Sequence, residues 1–511
     1  MDELKSIYSF WDLIAQEAYL SSTEEMQNNT SSKFIEKDSW KRVWLFACNE
    51  ANKALIELYS EKLNIVGVLD NSEAMLGKDF CGVKVCSPKE TIPSLSNEKD
   101  VVIISLRLNA DVAYRQITDM GFFNVYSLGV MIGGIEPYHS FIDEINELKR
   151  KELNSDIVLM ESMNDFDGNT GALYTYLKEK GSKKQFVWLC KAEDSVSDFL
   201  GCNDKEIIPN RSIEDLKEYI RLRATAKWEI WECDPIRKVR KDQINVFLQH
   251  YGMGYKQVAH LYNSPAYVDY VLTTNEFVHG LESKSITYAP TSKFIYGELP
   301  RNDVLFKCEW DELSKLTLKK FKKVVMWAPT LRESRYYHRV DSDILYPFGI
   351  SLIYSKKDME LLNEFLKELD LLLIVKPHPR QRNNFSEDEY SNILYLDGDR
   401  VKRIHAYKLL VQMDALITDY SSMVFDYMLL DRPCAWVLED REHYKIDYLM
   451  DNPEEYMPGD KIYKMDDLHN FLKNVSEGRD MYREERRKIC ARCNPPAAGK
   501  GCERIAEVLG L

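Results

Sequence analysis

The sequence predicts an α/β protein in which two doubly wound lobes follow a small Rossmann-like module. Short apolar runs alternate with helix-patterned stretches along most of the chain, as in parallel sheets crossed by helices. The chain is 511 residues long, more than one ordinary core accommodates. Hydrophobic residues make up 45% and charged residues 29%, the balance of a chain that buries cores rather than one that stays disordered.

Residues 1–39 read as a helical lead-in and a polar linker. Residues 40–130 form the first module. Its strands are expected at Val43–Ala47, Ile65–Asn71, Val101–Ser105 and Val125–Leu128, with a helix over Ala51–Leu63. A dinucleotide site needs glycines in the first strand-to-helix turn, where backbone meets pyrophosphate. That turn here is Ala47-Cys48-Asn49-Glu50-Ala51, so no cofactor is expected and the module reads as a docking or spacer unit. Residues 131–158 read as a charged helical connector, centred on Ile142–Leu153. The first lobe, residues 159–315, has strands expected near Phe186–Cys190 and Ile244–Leu248. The second, residues 316–511, has them near Val324–Trp327, Leu371–Val375, Ala415–Thr418 and Cys434–Val437. Ligands of such sheets sit beyond the carboxyl ends of the strands, and facing lobes keep water out of the cleft between them.

The net charge of −14 argues against general nucleic-acid binding, which needs a basic face to neutralise phosphates. Eleven scattered cysteines, an odd number, read as reduced thiols of a cytoplasmic protein. Cys490 and Cys493 form a C-x-x-C without a second pair, so no metal site is expected. Met1–Leu20 lacks a basic start before an apolar run, unlike a signal peptide. No stretch approaches the roughly 18–20 apolar residues of a membrane span, which leaves peripheral contact as the expected mode of meeting a membrane.

Chemistry concentrates at the ends of predicted strands. After Thr418-Asp419, Ser421 and Ser422 open a helix, where unpaired N–H groups, a partial positive charge and two hydroxyls suit a phosphate. Asp426 lies one turn on, on the same face, placed to accept from a sugar or polyol hydroxyl. Serines that merely cap a helix are the bland alternative. Lys376-Pro377-His378-Pro379 ends another strand, and the prolines stiffen the turn that carries the lysine and histidine. Pro329, Thr330 and Arg332 follow a third strand, and Arg301 sits in Leu299-Pro-Arg-Asn-Asp303. A lone arginine there more often makes a surface ion pair worth at most about 1 kcal/mol.

These segments, in this order, resemble the CDP-glycerol glycerophosphotransferase family of teichoic acid primases, polymerases and related capsule polymerases. The likeness runs from about Met160 to Gly499-Lys500 and also takes in Asp167-Gly-Asn-Thr170 and Ala224-Thr-Ala-Lys-Trp228. It implies a GT-B-type pair of Rossmann-like lobes with CDP-glycerol or CDP-ribitol in the cleft. It implies transfer of the polyol phosphate to a lipid-linked or polysaccharide acceptor, without a metal, at the inner face of the cell membrane. Residues 40–130 would then contact other enzymes of envelope synthesis. Donor contacts fall on Gly252, Arg301, Pro329, Thr330, Arg332, Lys376, Pro377, His378, Ser421, Ser422 and Asp426, with His378 also counted as catalytic. The family's Trp-His-Gly segment is replaced by Leu248-Gln-His-Tyr-Gly252. Counting back from Lys256 puts Tyr251 at the histidine's place. His250, whose ordinary pKa of about 6.5 suits a base, is the expected base and Tyr251 the alternative. A GT-B glycosyltransferase using a nucleotide sugar and a non-catalytic assembly protein are the other readings.

Overall fold

The computed structural model describes residues 42–511 except 61–62, 107–109, 128–138, 163–165, 191–199, 209–212, 234, 236–237, 251, 258–267, 285, 287, 289, 308, 335–338, 345, 379–389 and 397–403. The expected lead-in over residues 1–39, Tyr251 and Pro379 lie outside the described residues. The architecture is mixed α/β, built on three largely parallel sheets.

The first sheet holds β1 (Arg42–Phe46), β2 (Ile65–Leu69), β3 (Asp79–Phe80), β4 (Val83–Cys86), β5 (Asp100–Ile104) and β6 (Val125–Ser127). Their order is β3-β4-β2-β1-β5-β6, with β3 antiparallel to β4. Side chains alternate between faces as strand geometry requires. Val43, Leu45, Val101 and Ile103 join one apolar cluster, while Phe46, Val102 and Ile104 join another. In the turn after β1, the Cys48 N–H donates to the Asp70 carboxylate at 2.6 Å, where a dinucleotide fold would offer it to phosphate. Asn49 caps the helix Glu50–Tyr59 by accepting from Asn52 N–H. The cluster containing Val43 and Leu45 continues through Leu159, Val187 and Phe247 of the next sheet. The module is therefore packed onto its neighbour by a shared core, not tethered beside it.

The second sheet contains β7 (Asn154–Met160), β8 (Gln185–Leu189), β9 (Lys205–Ile207), β10 (Ala226–Trp231), β11 (Ile244–Phe247), β12 (Tyr270–Thr273) and β13 (Lys293–Tyr296). Their order is β13-β12-β11-β10-β7-β8-β9. The connector expected over residues 131–158 is corrected here. Within it, His139–Arg150 is helical, but the interior strand β7 then begins at Asn154. The first three residues of β7 are exposed and polar, and only its second half is buried, so the strand's start carries no apolar signal.

The third sheet comprises β14 (Lys323–Ala328), β17 (Leu371–Val375), β18 (Ile393–Tyr395), β19 (Ala415–Thr418), β20 (Cys434–Val437) and β21 (Asp460–Ile462). A separate small hairpin of β15 (Glu333–Ser334) and β16 (Arg339–Val340) follows β14. The order is β18-β17-β14-β19-β20-β21. Every residue of β17 is buried, Leu372 and Ile374 on one face and Leu371, Leu373 and Val375 on the other. Such two-sided burial is what a continuous apolar run in a parallel sheet predicts. The last helix, Gly501–Leu509, leaves this sheet and packs on the second. Cys502, Ile505 and Leu509 share a cluster with Val158, Leu173 and Phe186, and Asp303 accepts from the Gly501 and Cys502 N–H groups at 2.7 and 3.0 Å.

Arg223 and Glu229 are fully buried beside the second sheet and bonded at 2.7 Å, with Arg223 also donating to the Tyr219 hydroxyl at 3.1 Å. Removing one partner strands the other charge in a dry interior. Arg223→Met is expected to lower stability by about 3–5 kcal/mol in urea unfolding, and Arg223→Met with Glu229→Leu to recover most of it.

Candidate active site

The carboxyl ends of β11, β14, β17 and β19 and the turn of 3₁₀ helix Pro300–Phe306 after β13 meet between the second and third sheets. Arg301, Asn302 and Asp426 form the bridge between them. Arg301 Nη2 donates to Asp426 Oδ2 at 2.8 Å, and Asn302 Nδ2 to Asp426 Oδ1 at 2.8 Å. The Tyr407 hydroxyl donates to Asp426 Oδ2 at 2.6 Å, and its ring lies 5.2 Å from the Arg301 guanidinium carbon. Burial disfavours the Arg301 charge, yet Asp426, Tyr407 and Glu232 together outweigh this and raise its pKa. The charge of Arg301 is thus balanced inside the protein.

Arg301 also reaches back into the second sheet. Its Nη1 donates to the carbonyl of His250, and its backbone N–H donates to Asn169 Oδ1 at 3.1 Å. The Asn169 amide in turn donates to the carbonyls of Leu248 and Gln249 at 3.2 and 2.6 Å. His250 follows Gln249, whose φ of +54° is a left-handed conformation that costs a side-chain-bearing residue about 1–2 kcal/mol. His250 is half-buried and Gly252 is buried. A Cβ at Gly252 would lie 3.0 Å from Leu299 Cδ1 and 3.1 Å from Thr274 Cγ2, so the chain passes closely there.

A second polar cluster follows β14 and β19. Asp419 accepts from the Thr330 N–H at 2.9 Å, from the Thr330 hydroxyl, and from Arg332 Nη2 at 2.8 Å. Arg332 Nε donates to Asp440 at 2.6 Å. The rings of Tyr420 and Tyr444 stack on each other with centroids 4.1 Å apart, and the guanidinium lies beside this pair, 5.4 and 5.1 Å from their centroids. Arg332 is 3% exposed, and the two carboxylates keep its pKa raised against the cost of burial. Its hydrogen bonds brace the strand ends that carry Pro329 and Thr330.

Lys376, beside buried Pro377, is half-buried just past β17, as is His378. Lys376 is anchored by its own N–H donating to the Trp327 carbonyl at 2.8 Å. Its ammonium has no carboxylate at ion-pair distance among the described residues. Burial pulls its pKa below the ordinary lysine range, partly offset by the charge of Asp167 across the cleft. Ser421 and Ser422 are half-buried at the start of the short helix Met423–Tyr427. Ser421 Oγ accepts from the Met423 N–H at 3.4 Å, whereas the Ser422 side chain makes no cap bond.

Several groups here carried no role in the sequence reading. Asn302 and Asp419 stand inside the motifs already singled out, so their neighbours were the available signal. Asn169 stands inside the Asp167–Thr170 segment in the same way, whereas Tyr407, Asp440 and Glu232 came with no signal. Glu232 is buried past β10, accepts from the Thr170 N–H at 3.3 Å and occupies the space a Cβ on Gly168 would need. Burial, then the charge of Asp167, push its carboxyl well above the usual range. Among the described residues no three His, Cys, Asp or Glu side chains are grouped to hold a metal, and no helix is long and apolar enough to cross a membrane.

Residues 145–510 match the family described as CDP-glycerol:poly(glycerophosphate) glycerophosphotransferase. The teichoic acid poly(glycerol phosphate) polymerase of Bacillus spizizenii is 24% identical over 57% of this chain and 76% of its own. The teichoic acid glycerol-phosphate transferase of Staphylococcus aureus is 24% identical over 70% of this chain and 95% of its own. A structure of the wall teichoic acid polymerase TagF soaked with CDPG superposes with a TM-score of 0.59 at 20% identity. It covers 72% of this chain and 92% of that one, which makes the fold a shared one.

Proposed function

The chain belongs to the CDP-glycerol:poly(glycerophosphate) glycerophosphotransferase family, and on that premise we propose that it transfers glycerol phosphate or ribitol phosphate from a CDP-activated donor to a teichoic-acid-like or capsular polymer, releasing CMP. The observation that carries this reading is that Lys376 and His378 follow β17 and Ser421 and Ser422 follow β19 at one end of the third sheet, while Arg301 joins the helix after β19 to the His250 carbonyl. The second and third sheets act as a GT-B pair, residues 154–315 on the acceptor side and 316–511 on the donor side, apart from the returning last helix. The lipid-linked or polysaccharide acceptor is reached peripherally from the inner face of the cell membrane, and residues 40–130 serve as a docking module.

The chemistry is one displacement. An acceptor hydroxyl oxygen attacks the β-phosphorus of the donor, the bond from that phosphorus to the bridging oxygen breaks, and CMP departs with the electron pair. His250 accepts the hydroxyl proton, Tyr251 being the alternative for that role. Lys376 and His378 spread the charge that builds on the phosphoryl oxygens, while the N–H groups that open the helix after Ser422 and the two serine hydroxyls orient the diphosphate. Thr330 and Pro329, braced by Arg332, wall the donor side. Lys376 is suited to the task because the described residues leave its charge without an ion-pair partner.

Incubation with CDP-glycerol, CDP-ribitol and UDP-sugars should release CMP from at least one CDP-polyol and no UDP. Release of UDP alone would overturn the reading. His250→Ala is expected to lower kcat about 10²–10⁴-fold in the CMP-release assay, and Tyr251→Phe to leave it near the parent value. Because the Lys376 ammonium binds only while protonated and its pKa is depressed, the donor KM should stay level at neutral pH. It should then rise on the alkaline side earlier than an ordinary lysine would dictate. Lys376→Arg should abolish that rise, and Lys376→Ala should raise the KM about 10- to 100-fold.

A further inference from the structure

Asp426 sits on the donor side of the cleft, yet its carboxylate is taken up by protein. Oδ2 accepts from Arg301 Nη2 and the Tyr407 hydroxyl at 2.8 and 2.6 Å, and Oδ1 accepts from Asn302 Nδ2 at 2.8 Å. With Asp426 only 2% exposed, these donors turn the group away from a polyol hydroxyl. What it holds instead is Arg301, and what Arg301 holds is the carbonyl of His250.

The turn after β11 is fixed at three successive carbonyls. Asn169 takes those of Leu248 and Gln249, and Arg301 takes that of His250. Gln249 needs such fixing, since its φ of +54° persists only where surrounding bonds over-determine the backbone. Two of the anchors, Asn169 and Arg301, come from the same side as His250, but Asp426 and Tyr407 come from the third sheet. The direction of the His250 side chain is therefore coupled to the seating of the third sheet against the second.

We propose that Tyr407 and Asp426 are positioning residues that act through Arg301 to aim His250, so that the base is set in place by the donor side of the molecule. The proposal rests on His250 serving as the base. It removes Asp426 from the donor contacts and gives Tyr407, which lies outside every sequence motif described above, a role in turnover rather than in donor binding.

Tyr407→Phe in the full chain keeps the ring beneath Arg301 and deletes only the hydroxyl. In the CMP-release assay kcat should fall about tenfold, the loss of one charge-assisted hydrogen bond. The KM for CDP-glycerol and the Kd for CDP measured by calorimetry should stay within about twofold. Asn302→Ser, which frees the other carboxylate oxygen, should act in the same direction, and the two together should lose less than the product of their separate effects. A rise in KM and Kd with kcat unchanged would overturn the proposal in favour of direct donor contact, as would no change in any of the three. If the unaltered protein turns over no CDP-polyol, the functional reading fails on its own. The clamp is then judged by amide hydrogen exchange at Leu248–His250, which Tyr407→Phe should accelerate and which, if unchanged, overturns it.

Discussion

The buried bond between Arg301 and Asp426 is the constraint on which the arrangement of the cleft depends. It joins the turn after β13 to the helix after β19, and so ties the second sheet to the third at the point where their strand ends meet. A buried pair of this kind contributes little net stability, because desolvation consumes most of the attraction. It contributes geometry. Breaking it leaves a charge with no water to turn to, so the two sheets are held in one relation wherever the pair is intact. Asn302 and Tyr407 add two further donors to Asp426, which makes the bridge a network rather than a lone ion pair.

Arg332 repeats the principle within the third sheet. Its guanidinium links the ends of β19 and β20 through Asp419 and Asp440, and Asp419 also ties down Thr330 after β14. Three strand ends are thereby braced by one buried cation whose charge is already answered by two carboxylates. Lys376 differs from both arginines. It lies half-buried just past β17, near these braced strand ends, without an ion-pair partner among the described residues.

The first sheet adds a packing argument rather than a chemical one. Its core continues into the second sheet through Leu159, Val187 and Phe247, so the module stiffens that sheet. At its own first turn the amide of Cys48 is occupied by Asp70. The last helix makes the converse link, leaving the third sheet to complete the core around Val158 and Leu173. Chain connectivity and core membership thus differ at both ends of the second sheet.

By itself the sequence determined the α/β class, the places of β1, β2, β5, β6, β8, β11, β14, β17, β19 and β20, and the strand-end motifs. Each of these is local: an apolar run bounded by polar residues or prolines declares itself within a few positions. It did not determine β7, because the exposed first residues of that strand read as connector, nor the return of the last helix, because an amphipathic helix does not state which core it will join. The partners of the motif residues were equally hidden. Arg301 and Asp426 are 125 residues apart, Arg332 and Asp440 108, and Tyr407 lies in a helix with no feature to mark it. Only the tertiary structure could decide that the cations at 301 and 332 are answered by carboxylates while Lys376 meets none among the described residues, since charge compensation is a property of space and not of spacing along the chain.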